Sequence, residues 1–389
     1  MVKKYVQRTI ESLLLKAQQQ FPVIVLTGPR QTGKSTTLRK KFKDYNYITF
    51  DDPVQRSTAI RDPGLFLEIN SEPLIIDEIQ YVPSVLPFVK MIVDNNRDKN
   101  GLFILTGSQY FPLMHGISES LAGRAVLFEL LGLSFSEYPV EEKTVPALFN
   151  RIFTGSYPDP LVHKVDPSLF YSSYLQTYIE RDIRLIQSVH DLTLFQHFLE
   201  LLAARIGTIL NLSSLATECG VSQTTVKRWI SLLESTRILY LLRPYFKNIS
   251  KRVIKNPKIY FTDTGLVSYL LRFPTYETVM KGPMAGQFFE NFFIIEFLKQ
   301  KVFTSSFYNL YFYRDSNQNE VDLVVEKNRE LELYEFKLAK NIKPDMIKSI
   351  LHFKKLRPEA RGFLISGYEK ELVFKPDVIH LPWHKLPAK

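Results

Sequence analysis

The hydrophobic pattern opens at helical spacing. Val6, Ile10, Leu13 and Leu14 fall along one side of a helix running through the first twenty residues. The period then changes. Val23-Ile-Val-Leu-Thr27 is a short continuous apolar run, the pattern of a strand buried on both faces of a parallel sheet. Runs of the same character recur at Tyr47–Phe50, Leu74–Ile76, Leu102–Leu105 and Ala125–Leu131, with helical segments between them. Repeated strand–helix–strand units imply right-handed crossovers and predict an α/β fold, a doubly wound parallel sheet over residues 1–133.

The pattern alters again after that. Residues 134–200 begin with aromatic residues and prolines (FSEYP, TGSYPDP) and become helical, as a lid or linker would. Arg181 and Arg184 lie there; they either approach phosphates or pair locally with neighbouring acids. Residues 201–258 contain a helix, a turn at Gly220 and a second helix over 212–235, with Ala216, Val221, Val226 and Ile230 as apolar anchors. RILYLLRPYF then has strand propensity suited to a wing. Residues 259–389 form a last α/β region. Within it Asn319–Glu326 and Glu330–Leu338 read as two strands joined at Asn328-Arg329, and that register sets Asp322 across from Glu335.

The chemistry begins where the first strand ends. Gly28-x-x-x-x-Gly33-Lys34-Ser35 is a full phosphate-binding loop in its strand–loop–helix setting. Its glycines let backbone N–H groups turn inward on a phosphate, and the following helix N-terminus adds a favourable dipole. The nucleotide-binding set is Gly28, Pro29, Arg30, Gln31, Thr32, Gly33, Lys34, Ser35 and Thr36. Lys34 is expected to neutralise the β- and γ-phosphates of ATP, and Ser35 to ligate Mg²⁺. Leu74-Ile-Ile-Asp77-Glu78 is an apolar strand ending in two acids. Asp77 suits the Mg²⁺ shell, or a helix cap, and Glu78 suits polarisation of the attacking water. Thr106 and Ser108 close the fourth strand beside the γ-phosphate, or form a turn with Gly107. Arg124, just before the fifth strand, is either an arginine finger for a neighbouring subunit or a structural arginine; as a finger it requires a homo-oligomer.

GPRQTGKS, LIIDE, LTGSQ and SLAGR, in this order, resemble the AAA+-type P-loop ATPases of bacteria and archaea whose chain continues into a winged helix and a restriction-endonuclease-like domain. YIERDIR, LAARIGTILNLSSLA, KIYFTDTGL and GQFFENF extend the resemblance over the whole chain. It implies an ATPase core with a helical lid, and supplies no substrate.

A second constellation fits that resemblance. Strand alternation puts Glu335 and Lys337 on one face, and with Asp322 opposite they form the D-x(n)-E-x-K arrangement of the restriction-endonuclease-like fold. Mg²⁺ on the carboxylates would activate water against a phosphodiester. Glu290, on an apolar helix upstream, resembles that fold's additional metal-side acid. A surface ion-pair ladder is the plain alternative.

Composition bounds what remains. The 389 residues carry 50 Lys and Arg against 40 Asp and Glu, a net charge of +10 that permits an anionic partner. The basic excess has a location, since RPYFKNISKRVIKNPK holds Lys247, Lys251, Arg252, Lys255 and Lys258 and no acid. With Gln223, Thr224, Thr225, Lys227 and Arg228 on the second helix, that stretch is a candidate DNA contact; the alternatives are a protein-contact module and a solvated loop. One cysteine, Cys219, excludes an intramolecular disulfide, and the seven histidines lack ligand spacing for zinc. No apolar run spans a bilayer and no secretory signal opens the chain, so a cytoplasmic protein is expected. Three functions follow: a DNA-directed ATPase whose last domain cuts or grips the backbone, a protein-remodelling ATPase or switch, and an assembly factor set by ATP.

Overall fold

The computed structural model describes residues 5–107, 120–178, 191–245 and 256–386. The chain divides into two compact units. One comprises Met1–Leu133 with the short segments Ser235–Arg237 and Val302–Thr304, and the other comprises the rest.

The first unit is a five-stranded parallel sheet of β1 (Val23–Thr27), β2 (Asn46–Thr49), β3 (Leu74–Asp77), β4 (Phe103–Gly107) and β5 (Ala125–Glu129). Their order is β2-β3-β4-β1-β5. The continuous apolar runs occupy the middle: β1, β3 and β4 are buried at every position, while β2 and β5 form the half-buried edges. Parallel pairing brings every carboxyl end to the same edge, where open α/β sheets hold ligands. The expected N-terminal helix is shorter than its apolar spacing, running Glu11–Gln18.

The second unit starts with helices Val145–Thr154, Pro158–Val162, Pro167–Tyr178 and Leu192–Ala203. Arg181 and Arg184 lie outside the described residues. The helix pair Leu212–Cys219 and Gln223–Ser235 follows, turned by Gly220 in the left-handed region at φ 66°. Ala216, Val226 and Ile230 are buried between neighbours, and Val221 is half-buried.

The wing-like strand β6 (Leu239–Pro244) pairs antiparallel with β7 (Lys258–Phe261) and parallel with β8 (Tyr308–Arg314). One eight-stranded mixed sheet therefore runs across the boundary expected at 258/259, in the order β12-β13-β11-β10-β9-β8-β6-β7. Its remaining members are β9 (Glu320–Lys327), β10 (Glu330–Lys337), β11 (Arg361–Ser366), β12 (Leu372–Lys375) and β13 (Val378–Pro382). Helix Ala285–Thr304 precedes this meander, and its phenylalanines pack on alternate residues of β10. Phe293 stacks on Phe336 at 5.6 Å, and Phe297 meets Tyr334 edge-on at 4.7 Å. Leu331 and Leu333 point to the opposite face, into a core with Ile350 and Phe353 of helix Lys348–Lys354. Among the described residues no helix is long and apolar enough to cross a membrane.

Candidate functional site

The phosphate loop leaves β1 at Gly28, whose φ of +136° no side chain adopts easily, and a Cβ there would lie 2.2 Å from the Leu130 carbonyl oxygen. Gly33, at φ +95°, opens the helix Lys34–Lys41. Lys34 is buried, and its ammonium donates to the Gly28 and Pro29 carbonyls at 2.8 and 2.9 Å. Thr32 Oγ1 donates to Pro29 O at 2.9 Å, while Arg30 reaches the Tyr81 hydroxyl at 3.3 Å. Gln31, at φ 60°, and Thr36 are exposed. Arg8 braces the loop from outside the motif. Its guanidinium, 3% exposed, donates to Thr32 O at 2.8 Å and to Leu131 O at 2.8 Å.

Parallel register sets Asp77 at the carboxyl end of β3, beside Thr49 of β2. Ser35 Oγ donates to Asp77 Oδ2 at 2.7 Å, and the Tyr47 hydroxyl donates to the same oxygen at 2.5 Å. Burial and the neighbouring Asp77 carboxylate push the Tyr47 phenol well above its ordinary range, so it stays a donor. Among the described residues, no hydrogen-bond partner reaches the buried Asp77 Oδ1. Glu78 follows in the left-handed region at φ 57°, held by Gln80. Thr106 is fully buried beside Leu26 of β1, and among the described residues its hydroxyl has no partner. Ser108 lies outside the described residues.

Arg124 is elsewhere. It precedes β5 at the amino edge of the sheet, roughly 16 Å along the strands from the loop after Thr27. There it makes a two-pronged contact to Asp94 at 2.7 and 3.1 Å. It cannot serve its own chain's phosphate loop.

The second unit holds the acid–lysine cluster. Asn328 and Arg329 both have positive φ, 51° and 73°, as a two-residue hairpin turn requires. The turn fixes the register: Glu330 faces Lys327 and Tyr334 faces Leu323, so the next step sets Glu335 opposite Asp322. Lys337 Nζ sits 2.7 Å from Glu335 Oε2 and 3.4 Å from Asp322 Oδ2. Asp322 Oδ2 also accepts from the Phe336 N–H at 2.9 Å. Among the described residues, no donor reaches the buried Glu335 Oε1.

A second group, built on Lys258, Glu290 and Glu320, acts on this cluster through charge. Lys258, 1% exposed, puts its ammonium 3.0 Å from Glu290 Oε1 and 2.5 Å from Glu320 Oε1. The Tyr260 hydroxyl donates to Glu290 Oε1 at 2.5 Å, and Arg314 reaches Glu320 Oε2 at 3.2 Å. The expectation that Lys258 contacts nucleic acid is thereby corrected: its charge is buried and held by carboxylates. Burial and the Asp322 charge raise Glu335 well above the usual carboxyl range. Burial also acts on Asp322, but the Lys337 and Lys258 ammonium groups and the Phe336 N–H outweigh it and hold that carboxyl low.

On the helix pair, Gln223, Thr224, Lys227 and Arg228 are exposed. Thr225 is half-buried and engaged in capping: its N–H donates to Ser222 Oγ at 3.1 Å, and the two hydroxyls meet at 2.9 Å. Lys247, Lys251, Arg252 and Lys255 lie outside the described residues.

Comparison with known proteins fits this geometry. Residues 20–139 match the family described as "AAA domain", while 145–277 and 285–386 match two domains of unknown function, DUF8612 and DUF4143. The "Uncharacterized protein Rv2008c" of Mycobacterium tuberculosis is 31% identical over 348 residues, 88% of this chain and 76% of that protein. The chain belongs to the Rv2008c family. A more distant relative, the "Uncharacterized protein MJ1544" of Methanocaldococcus jannaschii, is 24% identical over 84% of this chain and 77% of its own. Among solved structures, the Walker-type ATPase PABY2304 of Pyrococcus abyssi covers 67% of this chain and 94% of its own at 14% identity and a TM-score of 0.43. The first unit is an AAA-type P-loop ATPase domain, and the second carries a mixed-sheet C-terminal domain.

Both acid sites suit a divalent cation. Asp77 Oδ1 and Glu335 Oε1 are buried carboxylate oxygens without hydrogen-bond partners among the described residues, a costly condition that a cation relieves. Among the described residues no three His, Cys, Asp or Glu side chains gather into a ready metal cage. Mg²⁺ is commonly held by one or two carboxylates and completed by water and phosphate oxygens.

Proposed function

We propose that the chain is a Mg²⁺-dependent ATP hydrolase that works on DNA, with the acid–lysine cluster of its C-terminal domain engaging the phosphodiester backbone. The observation that carries the ATPase reading is the junction of Ser35 and Asp77 at 2.7 Å beneath the phosphate loop. Ser35 and Asp77 would hold Mg²⁺ with the ATP phosphates, and the ion would neutralise charge that develops on them. Lys34 would exchange its loop carbonyls for β- and γ-phosphate oxygens. Glu78 accepts a proton from the water it orients, and Thr106 offers its unpartnered hydroxyl at the same sheet edge. Arg124 is engaged by Asp94, so in a homo-oligomer it would have to exchange that pair for a neighbour's phosphates.

The DNA half of the reading is supported by Asp322, Glu335 and Lys337 converging on adjacent strands. The order helix, three-stranded meander, helix, parallel strand around them suits a restriction-endonuclease-like domain. Asp322 and Glu335 would hold Mg²⁺, which supplies an activated water, and Lys337 would steady the attacking oxygen. The exposed Gln223, Thr224, Lys227 and Arg228 extend a polar surface suited to the DNA backbone.

The test uses purified wild type and Glu335→Ala with Mg²⁺, with and without duplex and branched DNA. ATP turnover is measured while the DNA is followed on a gel. DNA-stimulated turnover in both proteins, and cutting by wild type alone, is the expected result. Turnover indifferent to DNA, with no DNA bound at low salt, would remove nucleic acid from the cycle and direct attention to protein partners.

A further inference from the structure

Lys258 sits where a cation belongs. It is a buried lysine at the start of β7, and its ammonium bridges two carboxylates from different elements, Glu290 of helix Ala285–Thr304 and Glu320 of β9. Tyr260, two residues along the same strand and so on the same face, adds a hydroxyl to Glu290 Oε1. Both Glu290 contacts fall on Oε1, so a cation at that oxygen would have to displace two donors.

We infer that the Lys258 ammonium serves as a built-in cation for the Glu290–Glu320 half of this centre, so that the centre accepts one divalent ion, on Asp322 and Glu335, rather than two. This rests on the reading of that cluster as a metal-dependent phosphodiester site. It removes Glu290 from the metal ligands and makes Lys258 a positioning residue.

Charge favours the same count. With all groups ionised, the four carboxylates Glu290, Glu320, Asp322 and Glu335 stand against the three cations Lys258, Lys337 and Arg314, leaving one negative charge. One divalent ion with one phosphodiester brings the total to zero. A second ion would leave an excess of two positive charges beside the buried Lys258, Asp322 and Glu335, which a low-dielectric surrounding opposes. Geometry agrees: among the described residues no donor reaches the buried Glu335 Oε1, whereas Glu290 Oε1 already accepts from two.

The experiment counts Mn²⁺ bound to the nucleotide-free full chain by equilibrium dialysis. Wild type is compared with a variant carrying Asp322→Asn and Glu335→Gln together, so that the difference isolates this centre from the phosphate loop. The expected difference is one ion. A difference of two overturns the Lys258 assignment while leaving the metal reading intact, and a difference of zero sinks both. Glu290→Gln should keep the count at one; loss of the ion there would make Glu290 a ligand and overturn the inference. Lys258→Met should gain a second ion, with a melting temperature that is low in EDTA and climbs with added Mn²⁺ more steeply than wild type. A folded Lys258→Met chain that gains no ion refutes the proposal. If that variant does not fold, the wild-type and Glu290→Gln counts still decide.

Discussion

The phosphate loop and the acid–lysine cluster are both built for phosphate chemistry, and they are built in opposite ways. The loop is consecutive chain: nine residues from Gly28 to Thr36 whose backbone makes the cradle, with Asp77 and Thr106 brought alongside by parallel register. The cluster is made almost entirely of side chains, from β7, β9, β10 and helix Ala285–Thr304. Backbone dipoles cannot titrate, so the loop needs few internal counter-ions. A cluster of buried carboxylates must bring its own cations, and Lys258 and Lys337 supply them. A site of the second kind is more costly to disturb in folding terms, while one of the first kind loses function and keeps its fold.

That contrast is sharpest at the two site lysines. Lys34→Ala should reduce ATP turnover by about 10³-fold, the upper end for removing a preorganised transition-state donor. The melting temperature should change little, because the Lys34 ammonium donates to loop carbonyls and the sheet behind it is untouched. Turnover at the wild-type rate would remove the phosphate-loop assignment.

Lys258→Met should do the reverse. In EDTA it strands Glu290 and lowers stability by about 3 kcal/mol, the lower end for breaking a buried pair, because Arg314 still neutralises Glu320. Denaturant unfolding measures this. ATP turnover by the surviving folded protein should stay near wild type. An unchanged unfolding free energy would mean that the ammonium is solvated in solution.

How legible these regions were follows the same division. The loop, the acids ending β3 and the order of strands and helices in the first unit stood in contiguous residues, and the AAA domain match over residues 20–139 agrees with them. The hairpin register was also readable, because a two-residue turn at Asn328-Arg329 leaves one pairing for Asp322 and Glu335. Lys258 was missed because it closes a basic run and so resembled a surface contact. The overlooked signal was local: Lys258-Ile-Tyr260-Phe begins a strand, so lysine and tyrosine share one face of a buried sheet. Arg8 gave no signal, since its partners are carbonyls of residues 32 and 131 that only folding brings near.

Glu78 separates binding from chemistry within the first unit. Glu78→Gln should bind ATP as wild type does, yet hydrolyse it about 10²-fold more slowly, the modest end for loss of a general base. Nucleotide binding by fluorescence and turnover by phosphate release measure the two separately. Full turnover would assign the base to another residue.

The smallest expected effect tests a buried charge of the first unit outside the phosphate loop. The Glu11 carboxylate, 2% exposed, accepts from the Arg8 N–H at 2.7 Å and the Tyr5 hydroxyl at 2.5 Å, and pairs with Lys41 at 2.6 Å. Burial works against its ionised form, but these donors outweigh burial and hold the carboxyl below its ordinary value. A lowered folded value means that the stabilisation is present above the unfolded value near ~4.3 and is lost as pH falls through the folded one. Glu11→Gln should therefore cost about 1.5 kcal/mol at pH 7, as expected for hydrogen bonds to a charged group. The gap to wild type should close as pH falls from 5 toward 3. Lys41 ends the helix that the phosphate loop opens, so the variant also tests whether this pair steadies the loop; ATP affinity should weaken slightly at pH 7. A stability gap independent of pH would show that Glu11 acts through its shape and hydrogen bonds alone, and the first unit would then depend on no buried charge at that position.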